Sequence, residues 1–426
     1  MALYDTTALL DKLKTFLPPA TIHHTARTTA FLERDVKLNV VLFTWTLILG
    51  WSVGTTRSMA SLARTYERQS GCTYNRSSFY RRFDDSLLMM IRSLYHLLLI
   101  KMPKTSIGPF EHILALDATI IRLWDGLLHR FPSTQQGQAG CKLQLVFDVV
   151  DMSAHRLKLH ESRAHEVSQW RSMGGWVGGR LLLMDLGYYS FWHFHNINAH
   201  GGYFLSRVKS GCAWKSLDDR TRSRGRRAKV CGLSVSEALG RLKGQGADWV
   251  VRVPVTLNSG RRITYKWRVL VDKNHDTGAY HTYVTNAPEE LIMWYDARSL
   301  YALRWQVELV FKGLKSVGRL HHLPTRKPVI VEVLILASLL FLLLTGWLRH
   351  QLFGIQKVYH SGMLRSLMVM REWSEAMLDV VAQDCVCVEP ECMLEMMRRQ
   401  LADPNHLRCR ACAVPRIVEY QQHFMS

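Results

Sequence analysis

Acidic side chains are scarce in this sequence: 35 Asp+Glu stand against 55 Lys+Arg, a formal net charge of +20 over 426 residues. That imbalance favours a polyanionic partner, either nucleic acid or an anionic membrane surface, because Lys and Arg displace the counterions condensed on both. Charge alone does not choose between them. A secretory start is also missing, since MALYDTTALLDKLKTFL has no basic segment leading into an apolar block. Together with nine cysteines, an odd number in a long chain, this points to reduced thiols in a cytoplasmic setting. No internal repeat or low-complexity tract is evident, so a repeat array is excluded. The one strongly apolar uncharged run, Val333–Leu348 (VLILASLLFLLLTGWL), falls short of the about 20 residues that a bilayer span needs and reads as a buried helix. What is present is enough apolar material for a folded protein, with 48% hydrophobic and 21% charged residues. The length suits about two to four domains.

The pattern along the chain divides it into segments. Residues 1–105 read as helical, with apolar residues at helical spacing through Val40–Leu49 and Leu87–Leu99. Within them, 61–83 has the outline of a helix-turn-helix: Ser61–Glu67, a turn at Gly71, and a second helix capped by Asn75. That second helix would offer Arg76, Arg81 and Arg82 to DNA, although any solvated basic hairpin looks similar. Residues 106–209 change to an α/β pattern. Ile113–Ile120 and Leu181–Asp185 are apolar runs carrying a carboxylate, and Lys142–Val150 and His155–His160 alternate as strands do. Residues 210–278 read as a β-rich insertion with a basic edge at Arg220–Lys229. Residues 279–325 return to a strand, Tyr280–Asn286, followed by an amphipathic helix over Tyr295–Ser316, and 326–426 read as a C-terminal helical region.

Three carboxylates stand out by placement: Asp117 inside an apolar strand, Asp185 at the end of another, and Glu308 on a helix. A buried carboxylate is costly unless it is paired or bound to a metal, and converging acids hold Mg²⁺ while leaving positions for water and phosphate oxygens. At about 100° per residue, Tyr301, Arg304, Glu308 and Lys315 share one face of the helix within an arc of about 60°. That stripe sets phosphate-binding cations on either side of a candidate metal ligand. An exposed helix with ordinary charge pairs would explain the charges but not the aromatic. Phe204–Lys209 alternates so that Arg207 and Lys209 share a face near Asp185, where they could meet phosphate or merely line a solvated edge.

The run Tyr301-Ala-Leu-Arg304-Trp-Gln-Val-Glu308-Leu-Val-Phe-Lys-Gly-Leu-Lys315 matches the Y-x2-R-x3-E-x6-K signature of the DDE transposases of bacterial insertion sequences, in their hairpin-forming cut-and-paste branch. Leu116-Asp117-Ala118-Thr119 and Asp185–Phe191 resemble the two aspartate motifs of that family. The resemblance spans residue 111 to about residue 321 and implies an RNase H-like mixed sheet flanked by helices, interrupted by a β-rich insertion before the last acid. It further implies that Asp117, Asp185 and Glu308 hold two Mg²⁺ ions, with Mn²⁺ as a substitute. Tyr301 and Arg304 then contact the backbone near a distorted DNA end, and Lys315 contacts phosphate near the cleavage site. The activity implied is hydrolysis at the element's ends, hairpin closure and strand transfer, acting on terminal inverted repeats and target DNA as a homodimer associated with the nucleoid. In relatives an aromatic of the insertion receives a displaced base. Tyr280 and Trp267 are candidates for that role here, with core packing the competing explanation. The tail thiols Cys385, Cys387, Cys392, Cys409 and Cys412, with His406, could assemble a structural zinc site. The family core does not demand such a site, and buried or free thiols are expected instead. A repressor or inactive relic with the same fold is the alternative function, although no acid of the set is missing. A membrane-surface protein leaves the placed carboxylates unexplained.

Overall fold

The computed structural model describes residues 7–33, 38–51, 58–71, 75–102, 109–151, 153–165, 169–170, 173–209, 211–212, 214–221, 230–257, 259–274, 277–318, 320, 323, 325–357, 362–383, 397–398 and 401. The basic run at 222–229 and the tail cysteines lie outside the described residues.

The N-terminal region is helical: α1 (Thr7–Phe16), α2 (Pro19–Thr28), α3 (Val40–Trp45) continuing as a π-turn over Thr46–Gly50, α4 (Met59–Ser70), α5 (Arg76–Arg81) and α6 (Asp85–Lys101). Polar caps set the helix starts. Ser58 accepts from the Ser61 amide, Asn75 from the Ser77 amide and Asp84 from the Leu87 amide, each satisfying a donor that the helix itself cannot. Gly71 closes α4 in a left-handed conformation at φ 64°. The pair α4–α5 is held by Phe43, Tyr66, Phe79 and Phe83, whose rings pack at centroid distances of 5.4–6.1 Å.

Nine strands form one sheet among the described residues, in the order β3-β2-β1-β4-β5-β9-β8-β7-β6. They are β1 (Ile113–Arg122), β2 (Gly140–Asp148), β3 (Ser153–Glu161), β4 (Leu181–Met184), β5 (Tyr203–Arg207), β6 (Lys215–Asp219), β7 (Gly246–Thr256), β8 (Arg262–Lys273) and β9 (Tyr280–Thr285). An antiparallel meander, β1 to β3, is followed by β4 and β5 laid parallel to β1, which is the RNase H-like arrangement. The β-rich segment does not stand apart as a separate layer. β8 pairs with both β7 and β9, and β9 pairs with β5, so hydrogen bonding runs unbroken into the first five strands. α7 (Phe191–Ala199) connects β4 to β5, and α8 (Val235–Arg241), opened by a Ser234–Glu237 capping box, connects β6 to β7.

Strand alternation sorts the apolar side chains into two cores. Ile113, Ala115, Leu183, Leu205 and Tyr283 face a core shared with the helices, whereas Leu114, Leu116, Leu182, Phe204, Trp267 and Val284 face the other. At Gly246 in β7 an added Cβ would lie 2.1 Å from the Trp294 ring and 2.4 Å from the Val271 carbonyl oxygen. Gly246→Ala is therefore expected to destabilise the protein by about 1–3 kcal/mol, read as a lowered melting temperature.

The remaining helices are α9 (Ala297–Ala302), α10 (Trp305–Ser316), α11 (Pro328–Lys357) and α12 (Met363–Gln383). The periodicity predicts one helix over Tyr295–Ser316, and the structure divides it at Leu303-Arg304. Both of those residues keep right-handed helical angles, but the amides of Leu303, Arg304, Gln306 and Val307 bond three residues back instead of four. A three-residue turn eclipses residues i and i+3, which stacks Arg304 over Tyr301. α11 contains the one stretch among the described residues that is long and apolar enough to cross a membrane, Pro328–Phe353, and its most apolar window is 89% buried. It is a core helix, packed on α6, α12 and β3.

Candidate active site

Register, not proximity in sequence, assembles the acids. Leu116 of β1 pairs with Met184 of β4, and Met184 pairs with Ser206 of β5. The next residues on the three parallel strands, Asp117, Asp185 and Arg207, therefore form a row across the sheet, with strands about 4.8 Å apart. All three fall on the face of Ala115, Leu183 and Leu205. Tyr283, paired with Arg207, extends the row. α10 packs over β1 on this face, its apolar side formed by Val307, Val310, Phe311 and Leu314, and it delivers Glu308 from its first turn.

Arg304 sits between the acids. Its guanidinium lies 2.6 Å from a Glu308 carboxylate oxygen and 3.5 Å from one of Asp117. Burial works against the guanidinium's charge, but the Glu308 hydrogen bond and the charges of Asp185 and Glu308 outweigh it and hold its pKa above the ordinary value. Asp117 is pushed up to about 6, first by burial, with Glu308 and Asp185 adding to the rise, while the Ala118 amide and Arg304 pull the other way. An acid raised by two neighbouring acids is the electrostatic mark of carboxylates brought together. Tyr301 donates through its hydroxyl to the Met184 carbonyl at 3.4 Å, beside Asp185, and its ring lies 5.3 Å from that of Tyr283.

An open cleft of about 610 Å³ leads to Asp117 and Glu308 and is lined also by Ala118, Thr119, Phe311, Lys312, Lys315 and Ser316. Burial holds the Lys315 ammonium below its ordinary pKa. Lys312 is the residue that sequence reasoning passed over. It stands four residues after Glu308 on the stripe of Tyr301 and Arg304, so the helical spacing already carried its signal.

The other expected residues are distributed as follows. Arg207 is exposed, with its guanidinium 3.5 Å from His281 Nδ1. β5 ends at Arg207, so Lys209 lies beyond the strand, exposed, and the strand alternation that would align the two does not reach it. Arg76 and Arg81 are exposed on α5, and Arg82, which caps its C-terminus, is half-buried. The two base-stacking candidates are not brought to the acids. Trp267 is 2% exposed, stacked on Tyr265 in the core on the opposite face of the sheet. Tyr280 shares that face, and its hydroxyl donates to the Leu242 and Gly244 carbonyls. Strand parity is the reason, since both sit one step out of phase with the side chains that flank Asp185. Among the described residues, the one group whose ligand atoms lie close enough together to hold a metal ion is His112, Asp148 and Asp151, at the start of β1 and the β2–β3 turn, separate from Asp117, Asp185 and Glu308.

A mixed sheet with acids on adjacent parallel strands and on an overlying helix defines a DDE-type nucleic-acid-processing domain. Residues 108–344 match the family described as "Transposase DDE domain", more than half of the chain, and the protein belongs to that family. It is similar to the transposase for insertion sequence element IS231F of Bacillus thuringiensis subsp. israelensis, with 21% identity over 362 residues covering 76% of each chain. The transposase for IS231E of B. thuringiensis subsp. finitimus is 22% identical over 358 residues. That for IS1151 of Clostridium perfringens is 21% identical over 243 residues, half of each chain. A solved piggyBac transposase synaptic complex with hairpin DNA aligns over 94% of this chain and 86% of its own, at a TM-score of 0.46 and 11% identity. The family carries transposition activity on DNA and divalent-metal use, and this chain is a transposase of an insertion sequence.

Proposed function

We propose that this transposase cuts the ends of its element by metal-dependent phosphodiester hydrolysis, closes a hairpin with the freed 3′-hydroxyl and transfers the reopened strand into target DNA. The observation that carries the reading is that Asp117 and Glu308 share one guanidinium while Asp185 stands beside Asp117 in the strand row, close enough for its charge to act on both Asp117 and Arg304. The set fits Mg²⁺, because its donors are all hard oxygens and the structure already places a positive charge between two of them. Asp117, Asp185 and Glu308 would hold two Mg²⁺ ions, or Mn²⁺ in their place. When bound, such ions lower the pKa of an attacking water or hydroxyl and offset charge on the leaving oxygen.

The chain's own residues supply the rest. Lys312 and Lys315 line the cleft where the scissile phosphate enters, and Arg207 continues the cationic row past Asp185. Arg304 offers its planar fork to the DNA backbone beside Tyr301. α4 and α5 grip the duplex through Arg76, Arg81 and Arg82, and a homodimer holds two ends in synapsis near the nucleoid of the cytoplasm. The domain division implied is helical DNA-binding, split catalytic core, β-rich extension and C-terminal helices.

Incubating the purified protein with an element-end duplex and Mg²⁺ is expected to give nicked and hairpin products. A repressor would only retard the duplex on a gel. Arg304→Ala is expected to lower hairpin yield by about 10²-fold through lost phosphate contacts, and unchanged yield would remove Arg304 from the site.

A further inference from the structure

A second cavity, of about 370 Å³, opens at the β3 edge of the sheet between the C-terminal half of α6, the β2–β3 turn and Trp170. Three of the unanswered polar atoms on its wall can donate. Tyr95 is 1% exposed and Trp170 3% exposed, yet neither the hydroxyl nor the indole N–H has a hydrogen-bond partner, and Arg180 Nε has none. Buried donors are rarely left this way, so three around one cavity point to an acceptor that fills it.

Three cations line the same space. Arg156 stands over the Trp176 ring at 5.0 Å and Lys158 over the Trp170 ring at 4.3 Å, so the indoles fix both heads in place. Lys158 also donates to the Gln169 carbonyl, and Arg180 pairs with Glu111 at 3.1 Å. Burial lowers the pKa of Arg156 and of Lys158, and repulsion adds to it, from Arg180 in the first case and from Arg156 in the second. Cations assembled against their own repulsion suit a multiply charged anion. The remaining wall has the opposite character, with His112 Nδ1 2.5 Å from Asp148 and 3.8 Å from Asp151. Arg156 and Lys158 pair with Val146 and Gln144, which lie opposite Leu116 and Ala118, so both point away from the Asp117 face.

We propose that this cavity binds a small phosphomonoester with hydroxyl or amino groups at its other end, the class of nucleoside monophosphates and sugar phosphates. The phosphate lies on Arg156, Lys158 and the Tyr95 and Trp170 donors, and the hydroxyl or amino groups face Asp148 and Asp151. The volume fits a ligand of that size and excludes a duplex. The site lies at the β3 edge with Arg156 and Lys158 facing away from the acids, and it does not depend on the DNA-cutting reading. The phosphate could belong to a free nucleotide or to the 5′ end of a DNA strand.

Calorimetric titration of the full chain with adenosine monophosphate, inorganic phosphate, adenosine, and a short single strand with or without a 5′-phosphate tests the proposal. Adenosine monophosphate is expected to bind and adenosine not to bind. Lys158→Gln should weaken the monophosphate at least tenfold and Tyr95→Phe several-fold, while both retain wild-type cleavage of DNA. A 5′-phosphate preference that Lys158→Gln abolishes would assign the strand end as the source, and its absence would assign the free nucleotide. Failure of both phosphate compounds to bind, equal binding of adenosine, or affinity untouched in Tyr95→Phe overturns the proposal. Tyr95→Phe keeps the buried ring, so it remains informative if Lys158→Gln does not fold.

Discussion

Asp117→Asn is expected to reduce cleavage of an element-end duplex by on the order of 10³-fold or more while leaving duplex binding intact, because it removes one ligand charge without changing side-chain shape. The same substitution is expected to raise the melting temperature of the metal-free protein. Burial pushes the Asp117 carboxyl from 3.8 to about 6, against the pull of Arg304 and the Ala118 amide. A carboxyl raised in the folded state binds its proton more tightly there than in the unfolded chain. Its contribution to stability is fully present below about pH 4 and is lost as pH rises through about 6. The asparagine variant, which has no charge to lose, should therefore gain most over the wild type above pH 6. Gel assays of cleavage and retardation, with melting curves at pH 4.5 and 7.5, check both halves. Retained cleavage would count against Asp117 as a ligand, and equal melting at both pH values would count against its buried charge.

Asp248→Ala is expected to cost about 3–5 kcal/mol, the largest stability loss anticipated for a single site. Arg268 is 5% exposed and fully engaged. Its Nε donates to both Asp248 oxygens at 3.2 Å, Nη2 donates to Asp248 at 2.5 Å, and Nη1 donates to the carbonyls of Ala287 and Ile292 at 2.9 Å. This cluster ties β7 and β8 to the segment that leads into α9, and so to the helix carrying Glu308. Removing the carboxylate leaves a guanidinium in the core with only carbonyls to answer it. Burial nevertheless holds the Asp248 carboxyl above its ordinary value despite Arg268, which shows that the pair is expensive to bury. The double variant Asp248→Leu/Arg268→Met should accordingly lose less than Asp248→Ala alone, as followed by urea unfolding. A milder single variant would show that water or local rearrangement rescues the guanidinium.

Much of the proposed catalytic set is legible in the sequence because its signals are local. The Tyr301, Arg304, Glu308 and Lys315 spacing needs only a helix, and Asp117 was conspicuous as a charge inside an apolar strand. The helix break at Leu303-Arg304 was not legible, since residues three apart share a face in either kind of turn. Strand alternation was extended to Lys209 where the strand has already ended. Tyr280 and Trp267 are aromatic in strands near the right segment, but which face each presents depends on pairing to β5 and β8.

The sequence by itself determined the chemical inventory: which acids, which cations, the cationic surplus that suits DNA, and the order of strand and helix that carries them. Tertiary structure alone decided that Asp117, Asp185 and Arg207 stand in one row, that Arg304 bridges Asp117 and Glu308, and that unanswered donors gather around a cavity at the β3 edge. The reason is range. Periodicity and capping are set by neighbours within a few residues, whereas strand register and the face shown to a partner are fixed by side chains a hundred or more positions away.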